Sequence, residues 1–135
     1  MAEELQAQKE VTEDLLSRLA DPREGVREAA AEALAVSTED DDWRPDDLML
    51  DEGIEILIDL LREKKTHIVR SALAVIIAIA TTGHEEDLLS REVINRLEQV
   101  KNHKDPEIRE MVREALWLLT PDVEDVVTSK PQDEY

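Results

Sequence analysis

Three segments of this 135-residue chain open with an aliphatic residue, an arginine and a small-residue stretch: VREAAAEAL from Val26, VRSALAVII from Val69 and IREMVREAL from Ile108. The copies lie 69−26 = 43 and 108−69 = 39 residues apart. A period near forty is the mark of stacked helical hairpins, because one hairpin cannot bury its apolar stripe alone and must lean on a neighbour. The chain is therefore expected to be all-α: a solenoid of three antiparallel helical hairpins, covering about residues 4–37, 47–81 and 87–119.

Local signals place the helices. Val11, Leu15, Leu16 and Leu19 recur at three- and four-residue steps on a helix over about residues 4–20. Asp21-Pro22 stops it, and Asp can cap the next helix. That helix, Gly25 to Ser37, is expected to turn Val26, Ala29, Ala30, Ala33 and Leu34 inward. Residues 38–47, with their acidic run and proline, read as a linker. A helix over about Asp47–Glu63 carries Ile54, Leu57, Ile58 and Leu61. The following one, Thr66–Thr81, is apolar nearly all round, which assigns it to the central layer with a repeat on each side. Gly83 suits a left-handed cap. A helix over about Asp87–Asn102 through Leu89, Val93, Leu97 and Val100 precedes Asp105-Pro106 and the last inner helix, with Ile108, Val112, Ala115, Leu116 and Leu119. Thr120-Pro121 should start a short capping helix through Val127, closing one domain over residues 1–127, with 128–135 a disordered tail.

Charge narrows the partners. Thirty-four acidic against 16 basic residues give −18, which argues against nucleic acid or an anionic membrane, since both need clustered Lys and Arg. The acids are dispersed and arginine outnumbers lysine ten to six, so a solvating surface is favoured over a basic-partner site. Such composition resembles that of proteins from salt-loving cytoplasms. No cysteine is present, no leader is expected at the start, and the longest apolar run, Ala72–Ala80, is too short to span a bilayer. A cytoplasmic protein is the expectation.

DPEIREMVREAL, residues 105–116, resembles the HEAT-repeat consensus: an Asp-Pro turn, an aliphatic-Arg pair, then small residues ahead of Ala-Leu. Asp21-Pro22 with VREAAAEAL repeats it with two extra residues before Val26. The middle copy has Thr66-His67 in place of Asp-Pro. This resemblance implies an α-solenoid whose second helices line a concave face, and a role as adaptor or scaffold, with a minority of lyases and hydroxylases in the family. It also implies that Arg27, Arg70 and Arg109 bind acidic or carbonyl groups of a neighbouring layer.

No catalytic constellation stands out. His67 and His103 are expected at one end of the hairpins and His84 at the other, roughly 21 Å away along a helix, so no shared metal is expected, and no cofactor. The acids of the linker lack the spacing, glycine and closing glutamate of a calcium loop. Trp43 among them is either a lid packed on the solenoid edge, which is favoured, or an exposed anchor. On the concave side, Arg27, Glu28, Ala31, Glu32 and Ala35 are expected to look out, as are Ser71, Ala74, Val75 and Ala78, then Glu110, Arg113, Glu114 and Trp117. The candidate partner-binding residues are therefore Ala74, Val75, Ala78, Glu110, Glu114 and Trp117, with Trp43. They suit a basic or amphipathic protein segment, unless inter-repeat packing or the C-terminal tail covers them. A non-catalytic scaffold is the leading reading. A self-associating structural subunit is the alternative, and a lyase acting on a modified protein a weaker one.

Overall fold

The computed structural model describes residues 2–120, with side chains from Lys9 onward, and all its regular structure there is helical. The expected cap over residues 121–127 and the tail 128–135 lie outside the described residues. Helices α1 (Ala2–Leu19) and α2 (Glu24–Ser37) form the first hairpin, α3 (Ile54–Leu60) and α4 (Thr66–Thr81) the second, and α5 (Glu85–Leu89), α6 (Val93–Val100) and α7 (Pro106–Leu119) the third. The inner helices stack in the order α2, α4, α7, and α4 packs against both of the others.

That central place explains the composition of α4. Ile68, Leu73, Ile76 and Ile79 are fully buried, each worth roughly 1.5–3 kcal/mol against exposure. Its C-terminus closes with two backbone bonds, Gly83 N–H to the Ala80 carbonyl (3.2 Å) and His84 N–H to the Ile79 carbonyl (3.3 Å), with Gly83 at φ 93°. This pairing requires the left-handed region at residue 83, where a side chain is strained. Gly83→Ala is expected to cost about 1 kcal/mol, read as a lower urea midpoint with an unchanged slope.

The last inner helix starts as its sequence predicts. The Asp105 carboxylate accepts from the backbone N–H of Glu107 (2.8 Å) and of Ile108 (3.4 Å), and Pro106 occupies the first turn. Asp21 does not play this part for α2. Two extra residues separate it from the helix, so its carboxylate accepts from the Arg23 backbone (2.8 Å) and guanidinium (2.9 and 3.0 Å) instead. Those bonds, the guanidinium's first, lower its pKa to about 2.

Two outer helices depart from the expected continuous form. The helix from residue 47 passes through a π-helical turn, Met49–Gly53, before α3. The added residue in that turn buries Met49 and Gly53 together with Ile54, Leu57 and Ile58. Gly53 allows the close approach: a Cβ there would stand 2.6 Å from the Met49 sulfur and 3.5 Å from Leu16. In the third hairpin, the expected single helix over 87–102 is split at residues 90–92, with Glu92 at φ 63°. Leu88 and Val93 are both fully buried; five residues apart, they could not share one face of an unbroken helix. The break brings both to the core and leaves Leu89, the expected core residue, 43% exposed.

Candidate functional site

The arginines of the repeat are the first functional-looking group, and their geometry is structural. Arg27 holds Glu63 of the next layer with a two-pronged grip, Nε to Oε2 at 3.0 Å and Nη2 to Oε1 at 3.1 Å. Its Nη1 donates to the carbonyls of Asp21 and Pro22, both at 2.9 Å. Arg70 reaches Glu107 of the third layer at 2.7 Å. Arg109 donates to the carbonyls of His103 (2.7 Å) and Lys104 (3.1 Å), closing its own turn as Arg27 does. No carboxylate among the described residues meets Arg109.

Burial redraws the expected concave face. Ala30, Ala31 and Leu34 are the buried residues of α2, whereas Ala29 and Ala33 are exposed and Val26 is half-buried. The inward side of α2 is thus rotated from the expected one, because α1 and α4 pack against it. In α4, periodicity turns Ser71 and Val75 outward, yet Val75 is 1% exposed and Ser71 is buried. With a helix on either side of α4, only a narrow seam stays partly open, and it runs through Arg70, Ala74, Ile77 and Ala78. Val75 is therefore removed from the surface candidates.

On α7 the expected stripe is open. Glu110, Arg113, Glu114 and Trp117 follow one another at i, i+3, i+4 and i+7 on the side opposite the buried Ile108, Val112, Ala115 and Leu119. Trp117 is 58% exposed. Arg113 pairs with Glu110 at 3.2 Å and so neutralises part of the acidic rim. Arg113 is not among the sequence-derived candidates, although its i, i+3 spacing from Glu110 is signal enough for that pair. In repeat register, Ala74 and Ala78 of α4 correspond to Arg113 and Trp117 of α7. The two helices are neighbours and both positions are open in each. The hollow beside Trp117 is lined by Glu110, Arg113, Glu114 and Trp117, all of α7, while Ala74 and Ala78 are partly open on the neighbouring α4.

Trp43 belongs elsewhere. It is half-buried, packs against the core from the loop between the first two hairpins, and helps line a hollow of about 320 Å³ with Val11, Thr12, Leu15, Leu34 and Met49. The loop is pinned by Asp46, whose carboxylate accepts from the Thr12 hydroxyl (2.7 Å) and from the Met49 backbone (2.9 Å). This hollow shares no residue with the α7 stripe.

Each histidine has a polar neighbour, that of His67 lying across the layer boundary on α2. His67 Nε2 lies 3.4 Å from Glu32, His84 Nδ1 3.3 Å from Asp87, and His103 Nδ1 accepts from the Asp105 backbone at 3.0 Å. Among the described residues no group of three His, Asp or Glu side chains could hold a metal ion. No helix among them is long and apolar enough to cross a membrane.

No family model matches the sequence, and no curated protein matches it. Among solved structures the chain is similar to a designed armadillo repeat protein in complex with the peptide (KR)4, at 21% identity and a TM-score of 0.62, over 78% of this chain and 45% of that one. It is also similar to an engineered protein whose crystal structure came from the Northeast Structural Genomics Consortium, at 22% identity and a TM-score of 0.67, over 79% of this chain and 44% of that one. The chain spans less than half the length of either. At such identities the likeness is one of fold alone: the chain is an all-α helical-repeat solenoid.

Proposed function

We propose that this chain is a HEAT-like, non-catalytic scaffold of the cytoplasm that binds a basic or amphipathic segment of another protein along the seam of α4 and α7. Trp117 is the anchor, Glu110 and Glu114 are its acidic rim, and Ala74 and Ala78 form a floor low enough to admit a chain. The observation that carries this reading is a large aromatic left 58% exposed between carboxylates. An indole face with acids beside it attracts Lys or Arg through both the ring quadrupole and the charge. The designed armadillo neighbour, solved with a (KR)4 peptide, supports a basic partner for a fold of this kind. Trp43 serves as a lid over the first hairpin in this reading, and the dispersed acids chiefly keep the surface solvated, as in salt-loving cytoplasms.

The test is calorimetric titration of the chain with a Lys/Arg-rich peptide and a neutral peptide of equal length. The basic peptide should bind, weaken as salt is added, and lose roughly 30-fold in affinity on Trp117→Ala. The melting temperature of that variant should stay near the wild-type value. Equal binding of the neutral peptide, or an unchanged affinity for Trp117→Ala, would sink the proposal.

A further inference from the structure

Each junction between layers carries an arginine–carboxylate pair, with the carboxylate just after α3 in one and in the first turn of α7 in the other, and among the described residues no such pair is made on the outer faces of the first and third layers. In each internal contact, an arginine of one layer takes a carboxylate of the next: Arg27 takes Glu63 and Arg70 takes Glu107. Arg109 has the same place in the third layer and the same turn carbonyls as Arg27, but there is no described carboxylate for it to take. The opposite end shows the complementary half. Ala33 and Val36 of α2 are exposed, Val36 by 57%, while their counterparts Ile76 and Ile79 of α4 are fully buried among its neighbouring helices. Glu24 opens α2 beside the position that Glu107 holds in α7. It is exposed and pairs with no other described residue.

From this register we infer that two copies of the chain stack head to tail, the first layer of one seated on α7 of the other. In this contact Glu24 meets the other copy's Arg109, and Val36 is buried as Ile79 is within the chain. The contact is heterologous, so it leaves a free end on each side and extends into longer stacks unless it is capped. A charge of −18 on every copy opposes it, so screening by salt should strengthen association until the Arg109–Glu24 pair itself is weakened. By the same register Arg113 of α7 corresponds to Ala31 of α2, which is 2% exposed within the stack, so a stacked copy covers part of the α7 stripe and competes with a peptide bound there.

Sedimentation equilibrium of the full chain at rising concentration, in about 0.15 M and about 1 M KCl, tests it. The wild type should show a mean mass above the monomer that grows with concentration. Val36→Glu, at an exposed position, should lower the association constant at least about tenfold while leaving the melting temperature unchanged. Arg109→Glu and Glu24→Arg should each lose association alone, and an equimolar mixture of the two should recover it as open alternating stacks, since both junctions of the alternating order pair opposite charges. A monomer at every concentration overturns the proposal. So does association that Val36→Glu does not reduce, or a mixture that stays monomeric.

Discussion

Val75→Glu is expected to abolish the native fold, not to weaken the binding of a partner. Val75 is 1% exposed in the central inner helix, whose buried set otherwise consists of Ile, Leu, Val and Ala with a single serine, Ser71. A carboxylate there gives up its hydration without a designed partner, a penalty of several kcal/mol. A domain of this size has roughly 5–15 kcal/mol of stability in all. Protonation would relieve part of the penalty, so any residual structure should be greater at acidic pH. Circular dichroism melts should show loss of the cooperative transition at neutral pH. The contrasting Trp117→Ala alters a side chain that is 58% exposed, and its melt should remain near wild type. If Val75→Glu melts as the wild type does, Val75 is at the surface and the seam is wider than described.

Arg27→Met is the second large effect, expected at roughly 2–4 kcal/mol. Methionine retains most of the aliphatic stem and removes the head that grips Glu63 with two nitrogens and closes the turn at Asp21 and Pro22. The Arg27 and Glu63 side chains are 19% and 20% exposed, so the glutamate left behind is a largely buried charge without its partner. The equivalent Arg70→Met should cost less, about 1 kcal/mol, since Arg70 and Glu107 are 36% and 61% exposed and water screens the pair. Urea denaturation of both variants reads the difference. A double cycle with Glu63→Gln should recover a coupling of roughly 1–3 kcal/mol. Equal losses for Arg27→Met and Arg70→Met would show that burial does not set the strength of these pairs.

Sequence periodicity locates the inner helices well because each carries its own start and stop. Thr66–Thr81 has the observed bounds, and Asp105-Pro106 and Gly83 act as cap residues of those types do. The outer helices are harder to read. Leu88 and Leu89 are equally apolar, and only the break at Glu92 decides that Leu88 is the buried one. The π-helical turn at Met49–Gly53 is likewise set by how α1 meets that segment, through Leu16 and the missing side chain of Gly53.

The candidate site divides along the same line. Glu110, Glu114 and Trp117 stand where helical periodicity places them, because α7 has a neighbouring layer on only one side among the described residues. Val75 does not, because helices on both sides of α4 narrow its open seam to a strip that periodicity alone positions too far round. What the chain's own residues determined is the repeat: three aliphatic-arginine starts, each with a stripe that needs a neighbour, and hence a solenoid with α4 at its centre. What only tertiary packing decided is which small residues remain open and which arginine finds a carboxylate. Those depend on the position of each layer in the stack, and near-identical segments differ in exposure according to whether another layer covers them.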